Sequence, residues 1–108
     1  EIKNNENKAK FADTGIKLLI EKMIDEGAFK KNLIAKITGG SQMFSFNNNK
    51  NILKIGERNV LATKEELKKL NIKIISEDTG GNYGRTIELN AEDGSLLVKT
   101  IGHGTKVI

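Results

Sequence analysis

Three sets of residues in this sequence have side chains that could catalyse a reaction. The adjacent carboxylates Glu77-Asp78 and Glu92-Asp93 could act as acid and base, and Ser41 could be a nucleophile with His103 as its base. Adjacent residues of a strand point to opposite faces, so we interpret both acidic pairs as solvated turn residues. Ser41 lacks the Gly-x-Ser-x-Gly spacing of a nucleophile elbow, and His103 lies between two glycines near the C-terminus. The residues alone therefore predict no hydrolytic site.

Two glycine pairs mark turns that could surround a ligand. Gly39-Gly40 precedes Ser41, and Gly80-Gly81 opens a glycine-rich run that ends at Gly84. A phosphate-binding loop lies between a strand and the N-terminus of a helix, and it often ends in Gly-Lys-Ser/Thr. The run from Gly80 lies between two predicted strands and lacks that ending. We therefore interpret both glycine pairs as structural turns.

Phe44 and Phe46 stand between the first glycine pair and the asparagine-rich stretch 47–51. In an extended segment their period-two spacing places both rings on one face. Two interpretations remain open: the rings fill the core beneath the second helix, or at least one reaches the surface and binds a partner. We expect Phe44 to be the main residue of a partner-binding surface, with Phe46 as the weaker candidate.

The composition excludes several classes of protein. The 108 residues contain no Cys and one His, so they hold no disulfide, thiolate zinc site or multi-histidine metal site, and we expect no metal or cofactor. The net charge is +4, but lysines alternate with glutamates and aromatic residues are 5%, which favours a solvated surface over a nucleic-acid interface. No apolar run reaches the ~18 residues of a membrane helix, and no secretory signal pattern opens the chain. We expect a cytoplasmic location.

Apolar residues at three- and four-residue spacing predict two helices. The first spans about residues 13–26, with Asp13 or Thr14 as its N-cap and Gly27 in the left-handed conformation after its last turn. The second ends at Asn71, because Asn tolerates that conformation. The apolar side of the first helix consists of Ile16, Leu19, Ile20, Met23 and Ile24. That of the second consists of Val60, Leu61, Leu67 and Leu70.

Short apolar runs predict four strands, over residues 33–37, 72–76, 85–90 and 95–101. The last two flank Asp93-Gly94, a strong hairpin signal, and residues 77–84 read as a long turn. The order of elements is α-β-α-β-β-β, which indicates one α+β domain with a layered mixed sheet and two main helices. We assign residues 10–108 to this domain and residues 1–9, which are polar and lack periodicity, to a mobile arm.

Four ordered blocks carry a further pattern: Lys10–Thr14 (KFADT), Lys36–Phe44 (KITGGSQMF), Ile55–Val60 (IGERNV) and Glu77–Arg85 (EDTGGNYGR). Their order and spacing resemble the CheD family of chemoreceptor glutamine deamidases. The resemblance extends from Lys10 to Ile108, which is nearly the whole chain.

The resemblance implies the layered fold of toxin-type cysteine hydrolases, here without the family's N-terminal strands. It also implies an enzyme that converts receptor glutamines to glutamates, using a Cys nucleophile and a His base. Both family residues precede the Lys10 block, so we expect them upstream of Glu1 and expect these 108 residues to be inactive alone. On this interpretation the cleft wall and turn scaffold consist of Gly39, Gly40, Ser41, Gly80 and Gly81.

The resemblance also implies partners. These are the cytoplasmic domain of a chemotaxis receptor and a CheC-type phosphatase, which acts on phosphorylated CheY. An alternative function of a different class is a non-enzymatic interaction module that binds such a phosphatase, and a basic nucleic-acid binder ranks last. Because the family's first strands would be missing, we expect an unpaired strand edge, and such edges recruit other chains. We expect that edge to hold either a cleaved N-terminal piece of the protein or a second copy of the chain in a dimer.

Overall fold

The computed structural model describes residues 11–42 and 55–108, which form two α-helices and five strands. The helices are α1 (Ala12–Asp25) and α2 (Ile55–Lys69). The strands are β1 (Ile34–Gly39), β2 (Lys73–Thr79), β3 (Arg85–Leu89), β4 (Leu96–Thr100) and β5 (Gly104–Val107). A single 3₁₀ turn, Lys30–Asn32, precedes β1. The predicted α+β class is confirmed. The predicted arm, residues 1–9, lies outside the described residues.

The C-terminal ends of both helices were predicted correctly from the sequence, and the N-cap of α1 was not. Gly27 and Asn71 follow their helices with φ of 109° and 62°, so both occupy the left-handed conformation as predicted. The predicted N-cap of α1 is wrong, because Phe11 is the capping position and it makes no side-chain cap hydrogen bond. Since the helix begins before Asp13, the Thr14 hydroxyl lies within it and donates to the Phe11 carbonyl oxygen, at 3.4 Å.

The buried core lies between the helices and one face of a parallel two-stranded sheet. Its centre consists of Ile20 from α1, Leu67 from α2 and Ile72, which precedes β2. Partly buried neighbours packed on this centre are Ile16, Leu33, Ala35, Ile37, Leu70 and Ile74. The predicted apolar side of α1 is only partly used, since Leu19 is 57% exposed and Met23 and Ile24 are also exposed.

A β-bulge in the parallel sheet reverses the faces of β2. Ala35 pairs with Ile74, but the next residue of β1, Lys36, pairs with Ser76, so Ile75 is an extra residue in β2. Before the bulge, Ile74 faces the helices, and regular alternation would place Asp78 on the same face. Because the bulge shifts the register by one residue, Glu77 faces the helices instead and Asp78 points to the opposite face.

The second sheet is antiparallel, with strand order β3-β4-β5. The predicted hairpin is confirmed: β3 and β4 flank a turn in which Gly94 has φ of 75°. The sequence prediction missed β5, which pairs with β4 and is only four residues long. Lys36 of β1 connects the two sheets, because its ammonium group donates to the carbonyl oxygens of Gly94, at 2.7 Å, and Ile108, at 2.8 Å.

The parallel sheet leaves one edge of β2 open. Within the described residues this sheet has only β1 and β2, so no strand pairs with β2 on the side facing away from β1. The unpaired edge expected from the sequence stays a prediction, because only the described residues bear on it. In the same residues, no helix has the length and apolar character needed to cross a membrane.

Candidate functional site

The two glycine turns meet at one end of the parallel sheet. The Gly80 N–H donates to the Gly39 carbonyl oxygen at 2.9 Å, and the Gln42 N–H donates to the Gly81 carbonyl oxygen at 2.9 Å. We call residues 39–42 and 80–81 the glycine node. The sequence predicted both turns, and the structure adds that they lie side by side. Because β1 and β2 are parallel, both strands finish at the same end of the sheet, and the turns that follow them lie together there.

The node requires glycine at specific positions. Gly40 has φ of 70°, and a Cβ atom there would collide with the Val60 side chain of α2. Gly56, in the first turn of α2, approaches the node so closely that its Cβ would lie 2.7 Å from the Ser41 carbonyl oxygen and would also collide with the Gly40 carbonyl. The start of α2 therefore packs directly on the backbone of the node.

The guanidinium group of Arg85 holds the node together. Its side chain is only 5% exposed. Its Nε donates to Asp78 Oδ2 at 3.0 Å, its Nη2 to the Gly80 carbonyl oxygen at 3.0 Å, and its Nη1 to the Gly39 carbonyl oxygen at 3.3 Å. One planar group thus binds the end of β1, the strand β2 and the second glycine turn. Arg85 closes the last of the four sequence blocks, but its role could not be assigned from sequence.

Asp78 is the counter-ion of two cations from the antiparallel sheet. Besides Arg85, it binds the Lys106 ammonium group of β5, which lies 2.9 Å from its second carboxylate oxygen. Hydrogen bonds from Lys106 and then Arg85 lower the pKa of Asp78, against the opposing effect of burial. The prediction that Asp78 is a solvated turn residue is wrong, because β2 continues to Thr79 and the bulge turns this carboxylate toward the second sheet.

Glu77 points to the opposite face of β2, as adjacent strand residues do. Its carboxylate binds the Lys64 ammonium group of α2 at 3.1 Å and accepts a hydrogen bond from the Thr79 hydroxyl at 2.9 Å. These two hydrogen bonds lower its pKa. The two carboxylates therefore face opposite sides of the strand, and the prediction that Glu77 is a turn residue is wrong because it lies within β2. The other acidic pair, Glu92-Asp93, lies exposed in the β3–β4 turn as predicted.

An aromatic stack covers the outer side of Arg85. The guanidinium carbon lies 4.9 Å from the centre of the Tyr83 ring, and the Tyr83 and His103 rings are 4.2 Å apart between centroids. No hydrogen bond joins His103 to Ser41 in the described part of the chain.

Three side-chain oxygens are buried without a hydrogen-bond partner among the described residues: Thr38 Oγ1 and Gln42 Oε1 at this end of the sheet, and Ser76 Oγ in the middle of β2. Unsatisfied buried polar groups are uncommon in folded proteins, and each costs free energy. Some buried polar groups near the node therefore form no hydrogen bond within the described part of the chain. The sequence prediction did not identify these residues.

The structure does not test the predicted partner-binding residues. Phe44 and Phe46 lie outside the described residues. Within those residues no cluster of three His, Cys, Asp or Glu side chains could hold a metal ion.

Comparison with known proteins identifies the relatives of this chain. The family model described as CheD chemotactic sensory transduction matches residues 1–100. A probable chemoreceptor glutamine deamidase CheD of Caldanaerobacter subterraneus is 67% identical over all 108 residues, and the chain covers 67% of that protein. A similarly named protein of Syntrophomonas wolfei is 57% identical over the same span.

The chemoreceptor glutamine deamidase CheD of Bacillus subtilis is 49% identical over 94% of the chain, which covers 61% of that protein. The chain thus spans about two thirds of the length of these relatives.

Replacing the node's carboxylate tests its structural role. Asp78→Asn leaves the buried Arg85 cation without its counter-charge, so we expect a loss on the order of 3 kcal/mol in the free energy of unfolding near neutral pH. The folded state lowers the pKa of Asp78, so its contribution is complete above the usual aspartate pKa and is lost as the pH falls through the lower, folded-state value.

The difference in stability between the wild type and Asp78→Asn should therefore shrink below about pH 4. Urea unfolding across this pH range measures it, with the exposed neighbour variant Glu77→Gln as a control of small effect. A difference that stays constant down to low pH would contradict the assignment.

Proposed function

Because this chain belongs to the CheD family, we propose that the protein is a glutamine deamidase that acts on chemoreceptors and thereby adjusts chemotaxis. The observation that carries the proposal is the match of all 108 residues, at 67% identity, to a protein named as such a deamidase. The reaction is hydrolysis of a side-chain carboxamide: water adds, ammonia leaves and a carboxylate remains. This chemistry requires no redox cofactor.

The catalytic nucleophile is not among these residues in our proposal. Cysteine hydrolases attack the carboxamide carbon with a thiolate, release ammonia and then hydrolyse a thioester. The sequence has no Cys, and His103 packs on Tyr83 beside the node. We therefore assign the Cys nucleophile and His base of the family pattern to residues upstream of Glu1, and we assign to this chain the scaffold of the enzyme.

We place one wall of the substrate cleft at the glycine node. Two observations support this position. Gly39, Gly40, Ser41, Gly80 and Gly81 come together at the end of the parallel sheet, and two buried oxygens at this end, Thr38 Oγ1 and Gln42 Oε1, have no hydrogen-bond partner among the described residues. A cleft wall must hold its shape, because misplacing a reacting group by about 1 Å can cost 100-fold in rate. The Arg85 hydrogen bonds supply that rigidity.

The partner and location follow from the same proposal. A deamidase of chemoreceptors acts on the cytoplasmic part of those receptors, so we place the protein in the cytoplasm. We do not propose nucleic acid as a partner, because the lysines of this sequence are interspersed with acidic residues.

We also propose a CheC-type phosphatase as a partner, bound through Phe44 and Phe46. The support is the sequence alone: both residues follow a glycine pair and precede a polar asparagine-rich stretch, and their period-two spacing would place both rings on one face of an extended segment. The alternative function, an interaction module without enzymatic activity, rests on this same surface.

The activity assignment predicts a clear difference between two lengths of the protein. The 108-residue chain should release no ammonia from a glutamine-bearing receptor peptide, because it has no thiol. The protein at the full length of its curated relatives should convert glutamine to glutamate, as measured by mass spectrometry and coupled ammonia detection. Turnover by the short chain would refute the placement of the nucleophile, and an inactive long protein would refute the deamidase itself.

The partner surface makes a separate prediction. Phe44→Glu should reduce binding to a CheC-type phosphatase by at least about 30-fold, the loss of a hot-spot residue of roughly 2 kcal/mol, without a change in melting temperature. Isothermal calorimetry measures the affinity, with Asn48→Glu as a control for added negative charge. If Phe44→Glu lowers the melting temperature sharply, the ring belongs to the core and the proposed surface is wrong.

A further inference from the structure

A basic groove runs beside the open edge of β2. It has a volume of about 420 Å³ and is formed by the last turns of α2 and the start of β2. The six residues that line it are Lys64, Lys68, Asn71, Ile72, Lys73 and Ile74. Half of these residues are lysines and none is a carboxylate. The groove is therefore positively charged at its sides and apolar at its floor.

The lysines of the groove differ in their pairing. Lys64 binds Glu77 at 3.1 Å. Lys68 and Lys73 are exposed and form no ion pair with any carboxylate of the described residues. Two cations that have no ion pair within the described residues thus line the groove, Lys68 on α2 and Lys73 on β2.

The edge itself offers backbone hydrogen bonds. Among residues 11–42 and 55–108 no strand pairs with β2 on this side, so within this part of the chain its outward N–H and C=O groups have no strand partner. Ile72, which is 7% exposed, and the partly buried Ile74 supply the apolar floor against which alternate side chains of such a strand would rest.

We propose that this groove is a docking site for an acidic, extended segment of a partner protein, which adds to β2 as a strand. Charge complementarity selects the occupant: carboxylates at alternate positions of the segment reach Lys68 and Lys73, and the backbone pairs with the edge. A second copy of this chain fits poorly, because it would bring the same lysines against each other. A nucleic acid would satisfy the lysines but not the backbone edge.

The groove is separate from the glycine node. Lys73 and Thr79 mark the two ends of β2, which are about 20 Å apart at the usual rise of a strand. The proposal therefore does not rest on the deamidase activity. It gives the protein a second surface, one that can hold a partner while the node is occupied.

Fluorescence anisotropy with labelled eight-residue peptides tests the proposal. A peptide in which Glu alternates with Val or Thr should bind the chain, and its Lys-for-Glu counterpart should not. A third peptide, N-methylated at alternate amides so that it cannot pair with the edge, should lose binding although its charge is unchanged. Equal binding of the N-methylated peptide would overturn strand addition.

Charge-reversal variants locate the site. The double variant Lys68→Glu with Lys73→Glu should weaken binding of the acidic peptide by about tenfold or more, since two attractive charges become repulsive. The matched control, Lys17→Glu with Lys31→Glu, changes the net charge equally at exposed positions away from the groove and should have little effect. Circular dichroism checks that both variants are folded.

Four outcomes would overturn the proposal. The first is an equal loss of binding in both double variants, and the second is tighter binding of a DNA oligonucleotide than of the acidic peptide. The third is a dimer of the free chain, seen by light scattering, that the peptide does not dissociate. The fourth is loss of peptide binding in the protein at the full length of its relatives, which would mean that its own residues cover the edge.

Discussion

The buried contact between Arg85 and Asp78 is the interaction on which the arrangement of the site depends. Removing a guanidinium and a carboxylate from water costs several kcal/mol per ion, and the cost is offset only when their remaining hydrogen-bonding groups also find partners. Here further partners are present, since Arg85 also binds the carbonyl oxygens of Gly39 and Gly80, and Asp78 also binds Lys106. Satisfying both ions therefore fixes where the two glycine turns lie.

The β-bulge makes that contact possible. With regular alternation from Ile74, Asp78 would face the helices and would point away from Arg85 and Lys106 of the antiparallel sheet. The extra residue Ile75 shifts the register by one, so Asp78 turns toward β3 and β5 while Glu77 meets Lys64 on α2. A single inserted residue thus separates the apolar half of β2 from its charged half.

Local patterns in the sequence predicted most of the elements. Helical spacing located both helices, and Asp93-Gly94 located the hairpin, because these signals act over a few residues. The strand β5 was missed because it is four residues long, begins at a glycine and contains little apolar material. The family resemblance was carried by four motifs, and the comparisons confirmed it.

The candidate site was predicted only in part, for a physical reason. Both glycine turns could be located, yet Gly39 and Gly80 are far apart in the chain, and only the parallel pairing of β1 and β2 brings them together. The role of Asp78 was misassigned because a bulge leaves no clear signature in one sequence. Arg85 was overlooked because its acceptors lie in two segments, at Gly39 and at Asp78 and Gly80, that only the fold brings together.

Hydrogen exchange at the node tests the central claim most directly. Arg85→Lys retains the charge but cannot reach three acceptors at once, so the Gly80 and Gln42 amides should exchange at least about tenfold faster, while the Leu70 amide at the end of α2 keeps its rate. This pattern would show that Arg85 holds the two glycine turns together. Unchanged exchange at Gly80 and Gln42 in a folded Arg85→Lys protein would show that the turns hold their positions without it.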